Sequence, residues 1–542
     1  MHMNTIKPES LLRLCLMLLL LFGLAFPAAA DQQADFETAL QPLKEKSYDG
    51  KSDAIRQIVA SGHPKARDVL SAMLGGDLFT RKKEKDLVFA VREGSQYRIT
   101  GVVDGEDLGK VKKRSLGKVS INNSLRGQLR SALALLNLDN PDAGVRLNAV
   151  NEMLDSIDAE SASLLREALE KESDAGVREA MALGIALGEV KSSDPDTRLQ
   201  AIEVLDGNLH PAAFNRLRNL LETEQPAEVR KAAQAALDSI DLKRQMSGAA
   251  ETLFFGLGLG AVLVLAAIGL AITFGVMGVI NMAHGELIML GAYTTYLLQV
   301  AMPEYPGVAL LLSIPLAFLV SGGAGVLIER GVIRFLYGRP LETLLATFGI
   351  SLVLQQLVRV LISPQNVPVS NPSWMSGSIE ISSVLSLTWN RIYIIIFCLI
   401  VFAALFMILK KTALGLQVRA VAQNRSMARA MGVRSERVDA LTFGLGSGIA
   451  GIAGVALSQI TNVGPNLGQS YIIDSFMVVV FGGVGNLWGT LVAGMTLGVA
   501  NKIMEPWAGA VLAKILVLVF IILFIQKRPR GLFPQKGRAA EA

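Results

Sequence analysis

From Thr252 to Ala283 the chain carries no charged side chain. A helix that crosses the hydrocarbon core of a bilayer needs about 20 apolar residues. Further apolar stretches follow at Tyr305–Ile328, Leu341–Leu361, Ile392–Leu409, Ala440–Ile473, Ser475–Asn501 and Pro506–Gln526. Residues 250–527 are therefore predicted to form an all-α polytopic membrane domain of eight or nine spans. Small residues recur at Gly444, Gly446, Gly448, Gly451 and Gly454, a pattern that lets helix backbones approach closely in lipid. A hydrophobic content of 51%, a charged content of 18% and a mean hydropathy of +0.42 fit such a protein with a sizeable polar portion.

Residues 1–30 read as a secretory leader. Lys7 and Arg13 precede a short apolar core from Leu14 to Phe26, and Ala28-Ala29-Ala30 precede Asp31. Residues 31–245 hold no apolar run long enough to span and are expected to be an exported, mostly helical domain. Asp142-Ala-Gly-Val145-Arg146 returns as Asp174-Ala-Gly-Val177-Arg178, and then as Asp196-Thr-Arg198 and Ala227-Glu-Val229-Arg230. Arg146 and Arg198 are 52 residues apart, as are Arg178 and Arg230. This spacing resembles duplicated HEAT-type helical hairpins; a plain helical bundle is the alternative. Short strands at Leu87–Val91, Tyr97–Val103 and Lys118–Ile121 suggest a small β insert near 87–121. His63 and His210, each followed by Pro, are isolated. The two cysteines, Cys15 and Cys398, offer neither a disulfide framework nor a thiolate metal site.

The loop charges divide sharply. Arg330, Arg334, Arg339, the stretch 410–438 and Lys527-Arg528-Pro529-Arg530 are basic, whereas Met302–Tyr305, Ser363–Asn390 and Thr461–Gly468 contain no Lys or Arg. The positive-inside rule puts the first set in the cytoplasm. An exported N-terminal domain and a cytoplasmic tail at 527–542 then need an odd number of crossings. The net charge of +5 belongs to this asymmetry and does not point to nucleic acid. Within the 410–438 loop, apolar residues at Leu414, Leu416, Val418, Val421, Met427 and Met431 predict two short helices broken around Asn424–Ser426 and closed by Gly432. Composition by itself favours a solvated anchoring loop over a docking element. Ionisable residues in or beside apolar runs (His284, Glu286, Glu342, Asp474, Lys502 and Lys514) are costly in lipid and tend to face a pore or a protein partner.

Several stretches together resemble the permeases of branched-chain amino acid-type ABC transporters. They are Gly278-Val-Ile-Asn281-Met-Ala-His284-Gly285-Glu286 continuing to Gly291-Ala292-Tyr293, Gly482-Gly483-Val-Gly485-Asn486, and Arg528-Pro529-Arg530-Gly531-Leu532-Phe533. The loop residues Leu414-Gly415, Arg419-Ala420, Asn424 and Ala430-Met431-Gly432 are similar to that family's cytoplasmic coupling loop. Within the family the chain looks most like the urea permease, through its long N-terminal extension, Pro340-Leu-Glu342-Thr-Leu-Leu-Ala-Thr347, and Asn366 to Trp374. Lys514 departs from the branched-chain pattern.

The resemblance implies a transport subunit in a bacterial inner membrane that works without a cofactor or metal of its own. Its implied partners are a second homologous permease, two cytoplasmic ATPase subunits and a periplasmic solute-binding protein. The chain has no Gly-x-x-x-x-Gly-Lys-Ser/Thr loop and is not expected to hydrolyse ATP. Gly415, Arg419, Ala420, Asn424, Arg425, Arg429 and Gly432 are the expected ATPase-coupling residues, with Arg419, Arg425 and Arg429 pairing with acids of that partner. Asn281, His284, Glu286 and Lys514 are the candidates for lining the solute path. The expected solute is small, neutral and polar, with urea first and branched-chain amino acids or short amides as alternatives. A membrane-anchored periplasmic receptor is the reading from another class, against which eight or more spans argue.

Overall fold

A computed structural model describes residues 33–534 except 46, 95, 156 and 225, so the leader expected at 1–30 and the last residues of the tail lie outside it. The chain divides into two compact units, Met1–Lys243 and Arg244–Ala542.

In the first unit, α1 (Tyr48–Ala60) and α2 (Ala66–Gly75) precede five strands: β1 (Leu78–Arg81), β2 (Leu87–Glu93), β3 (Gln96–Gly101), β4 (Asp107–Val111) and β5 (Leu116–Lys118). All pairings are antiparallel, in the order β4-β3-β2-β1-β5. The strands expected at 87–91 and 97–103 are β2 and β3; the third lies slightly earlier than expected. β1 and β4 were not foreseen, because four residues of β1 carry too little alternation and β4 holds Gly109 and two charges. Burial of Leu78 and Phe79 makes β1 a central strand all the same.

Helices α3 (Asn123–Leu135), α4 (Ala143–Met153), α5 (Ala159–Lys171), α6 (Ala175–Glu189), α7 (Pro195–Leu205) and α8 (Pro211–Thr223) follow, and then α9 (Ala227–Met277), within which the unit boundary falls. Their starts are capped by side chains: Asp142, Asp158, Asp174, Asp194 and His210 each accept from an amide of the first turn. The 52-residue period extends to bonding detail. Arg146 forms a two-pronged ion pair with Glu172 (2.7 Å for each prong) and also donates to the carbonyls of Asn140 and Pro141. One period later Arg198 pairs with Glu224 (2.9 Å) and donates to the carbonyls of Ser192 and Ser193. Each repeat thus ties the start of one helix to the end of the next, over a common core that includes Val150, Leu165, Val177, Leu187, Ile202 and Leu217.

The second unit continues with α10 (His284–Ala301), α11 (Pro306–Gly331), α12 (Pro340–Leu361), the hairpin β6–β7 (Ser378–Ser382, Leu385–Thr388) and α13 (Trp389–Lys411). After these come α14 (Ala413–Gln423), α15 (Arg425–Ala430), α16 (Ser435–Ser458), α17 (Leu467–Gly482) and α18 (Leu487–Lys527). Six of these helices, α9, α11, α12, α13, α16 and α18, are long and apolar enough to cross a membrane, against eight or nine expected spans. The difference has three sources. α10 opens on His284 and Glu286, α17 has only 16 residues, and α18 joins two stretches across Gly509, whose φ of 76° and ψ of 160° are not helical.

α16 is buried on nearly every side. Its glycines permit this: a Cβ on Gly446 would come 2.6 Å from the carbonyl oxygen of Gly269 on α9, and one on Gly291 of α10 would come 2.0 Å from that of Gly451. Backbone touches backbone there, as small residues allow between helices in lipid.

The paired repeat bonds predict that Arg146→Ala strands a carboxylate that is 3% exposed and destabilises the repeat. Hydrogen-exchange mass spectrometry on the full chain should show lost protection in α4 and α5, with Arg198→Ala doing the same in α7 and α8. The Arg146 hydrogen bond holds the Glu172 pKa down to about 2, below its ordinary 4.5. Its contribution is therefore full above about pH 4.5 and lost progressively as pH falls toward 2.

Candidate functional site

The basic loop folds as two short helices bound to the start of α16. Thr412 caps α14 by accepting from the Gly415 amide (3.2 Å), and Asn424 caps α15 by accepting from that of Met427 (2.9 Å). Gly415 has to be glycine, because a Cβ there would lie 2.2 Å from the Leu409 carbonyl oxygen. Gly432 closes α15 in the left-handed region, at φ 87°, as the loop pattern predicted. Val418, Val421 and Ala428 bury one face against Val438. The opposite face leaves Leu416, Met427 and Met431 from 61% to 79% exposed. The basic helix pair thus carries an exposed apolar face.

Arg425 differs from expectation. Rather than reaching outward, its guanidinium makes a two-pronged pair with Asp439 of α16 (2.8 and 2.9 Å), donates to the Tyr337 hydroxyl, and lies 3.9 Å from the centre of the Tyr337 ring. The physical reason is an acid just beyond the loop, nearly buried and in need of a cation. Burial, reinforced by Asp439, pushes the Tyr337 phenol up to about 12, so it stays neutral under this cation. Arg419 donates to the Leu409 carbonyl and Arg429 to the Ser435 hydroxyl (2.6 Å); both remain on the exposed side, and Ala420 is half-buried. Arg334 and Glu436 add a pair at 3.3 Å. Tyr337 and Asp439 were missed in the sequence; the only signal was an acid following five loop arginines.

The helix ends gather at two faces of this unit. At one, Gln299 bonds the backbone of Ser370, Val367 pairs with Val463, and Arg359 donates to Asn466 (2.7 Å). At the other lie the Tyr337–Arg425–Asp439 cluster and the tail, where Leu532 and Phe533 donate to the carbonyls of Phe481 and Gly482. Asn486 also donates to the Phe533 carbonyl there.

Between these faces the expected path residues separate. His284 is fully buried, with Nε2 on the Ala266 carbonyl (2.8 Å) and its ring beside Gly269, so it fastens α10 to α9. Asn281 accepts from the Ala283 amide and shapes the turn into α10. Lys514 donates to Asp474 of α17 at 3.2 Å. Glu286 alone meets a row of polar side chains: its Oε1 accepts from Ser351 (3.0 Å) and from Gln355 (2.7 Å) of α12. The Met282 amide donates to Thr347 one turn earlier on that helix. Sequence reasoning missed these α12 residues, although Thr343, Thr347, Ser351, Gln355 and Arg359 recur every four residues through an otherwise apolar span. Among the described residues no group of three or more His, Cys, Asp or Glu side chains is placed to hold a metal.

Residues 252–525 match the family described as "Branched-chain amino acid transport system / permease component". The chain is 29% identical to the high-affinity branched-chain amino acid transport system permease protein LivH of Salmonella typhimurium, over 52% of this chain and 94% of that protein. It is likewise 29% identical to BraD, a permease protein of the same description from Pseudomonas aeruginosa, over 51% of this chain and 93% of the relative. The ribose import permease protein RbsC of Haemophilus influenzae matches at 24% identity, over 44% of this chain and 72% of its own length. No solved structure matches. The apolar helices, the glycine-mediated packing and the sequence match agree: through residues 252–525 the chain belongs to the permease-component family of branched-chain amino acid transport systems.

Proposed function

We propose that the chain is one permease subunit of an ATP-driven importer for a small neutral polar solute, urea in the first place, in a bacterial inner membrane. The observation that carries this reading is the helix pair α14–α15. It presents Leu416, Met427 and Met431 outward from a basic face, and the chain has no phosphate loop of its own. An ATPase subunit of the same transporter is the partner such a surface suits, with Gly415, Arg419, Ala420, Asn424, Arg429 and Gly432 shaping or flanking the contact. A second homologous permease, a second ATPase subunit and a periplasmic binding protein complete the assembly.

Topology supports the reading. α10, at about 27 Å, and α17, at about 24 Å, are short but can bridge a core of about 30 Å where polar ends reach the interface. Counting these two with α9, α11, α12, α13 and α16, and each half of α18, gives nine crossings. An odd number sets the first unit outside and the tail inside, in agreement with the basic loops. The exported unit is then a HEAT-type repeat domain available to steady the assembly or to receive the binding protein.

The urea assignment has its support in residues 340–347 and 366–374; the names of the relatives favour branched-chain amino acids instead. Uptake of labelled urea, acetamide and leucine into a strain lacking this chain separates the two readings. Urea uptake should fall to background and return with the chain. Leucine uptake alone depending on it would overturn the substrate.

Two variant classes test the loop. Leu416→Asp with Met431→Asp should abolish co-purification of an ATPase subunit at unchanged membrane levels. Arg425→Ala should keep that partner yet slow uptake by about tenfold, roughly 1.4 kcal/mol in the barrier. The reason is that it unfastens the helix pair from Asp439 and Tyr337 rather than altering the docking face.

A further inference from the structure

We infer that the contact between α10 and α12, centred on Glu286, is a solute site for a small neutral molecule that donates N–H hydrogen bonds, an amide or urea; this rests on the importer reading above.

Three observations lead there. The first is an unspent acceptor. Glu286 is 1% exposed; its Oε1 takes both the Ser351 hydroxyl and the Gln355 amide, while Oε2 is buried with no partner. Buried polar atoms are nearly always satisfied, and with Oε1 taken by two donors the open Oε2 is the atom that a further N–H would meet. Two turns along the same face of α10, the buried Tyr293 hydroxyl also lacks a partner. One acceptor and one hydroxyl that can act either way fit a molecule with both N–H groups and a carbonyl.

The second observation is how α12 is held. Its buried residues are Thr343, Thr347, Ser351, Gln355 and Val358, and much of the rest of the helix, including Leu341, Leu345, Val353 and Val360, is exposed. Glycine-lined backbone contacts bind α10 to α16, whereas α12 meets α10 through exchangeable hydrogen bonds at Glu286 and, further along, through an apolar patch of Met289 and Tyr293 with Leu354 and Val358. Parting them at Glu286 breaks the bonds to Ser351 and Gln355. A solute that donates to Glu286 replaces the bonds that the opening breaks.

The third is extent. The polar row from Thr343 to Arg359 covers about 24 Å of helix. It begins beside the Leu336 carbonyl and ends at the Arg359–Asn466 bond, on opposite faces of the unit. A neutral molecule can pass along such a row by trading hydrogen bonds, whereas a cation held on Glu286 would bind too firmly to move on.

The test is whole-cell uptake in a strain whose own copy is replaced by Glu286→Gln or Ser351→Ala. Membrane levels and thermal stability in detergent are measured alongside, with labelled urea as the solute and N-methylated ureas as competitors. The site predicts that wild-type uptake is inhibited progressively less as methyl groups replace N–H, with tetramethylurea inert. Ser351→Ala should raise KM by about tenfold at normal membrane level and blunt this discrimination, and Glu286→Gln should do so more strongly. Equal competition by urea and tetramethylurea in wild type would overturn the inference. So would an unchanged KM in both variants with lowered thermal stability, since that marks a contact serving only to hold the helices together. Uptake that depends on the chain for leucine alone would refute the neutral N–H donor and the urea reading together. Urea uptake that is intact but insensitive to both substitutions refutes the site and leaves the importer standing.

Discussion

Backbone contact through glycine at α16 is the constraint on which the membrane unit depends. Where Gly446 meets Gly269 and Gly451 meets Gly291, carbonyls sit at distances that no side chain tolerates, so α9, α10 and α16 form one close-packed block. In lipid there is no hydrophobic gain from association, and close van der Waals approach takes its place. Two further elements are attached to this block by other means. The helix pair α14–α15 is attached through an ion pair to Asp439 and an apolar face on Val438, and α12 through a row of hydrogen bonds and an apolar patch on α10.

That arrangement gives Tyr337 a double position. It lies under Arg425 of the loop helices, and it is followed after two residues by Pro340, which opens α12. The guanidinium–phenol contact therefore links α15 to the start of α12, while the Asp439 pair holds the same side chain to the glycine-packed block. Rigid elements joined at a few polar points are the usual substrate for hinge and shear motions.

Much of this was legible in the sequence, and the reasons differ by region. The two loop helices, the break at Asn424 and the role of Gly432 followed from local rules of capping and amphipathic spacing, which tertiary structure did not override. The repeat in the first unit was visible as Arg146 and Arg198. Its partners Glu172 and Glu224 were not, because an acid 26 residues away has no local signature. Arg425 misled for the same reason: it was expected to pair with an acid of the ATPase partner, whereas Asp439 lies just beyond the loop. His284 and Glu286 stood two residues apart in one motif and were treated alike. Only the fold separates a ring that fastens two helices from a carboxylate with an open acceptor.

Gly509 carries a consequence for the end of the chain. Without its non-helical backbone, α18 would be a single rod of 41 residues, about 60 Å long and twice the thickness of a bilayer core. With it, the two halves begin and finish at the same face, and Leu532 and Phe533 come back to bond the turn after α17. One residue's dihedral angles thus set the parity of the chain. They determine whether the last residues return to the face where α18 began or emerge at the opposite one.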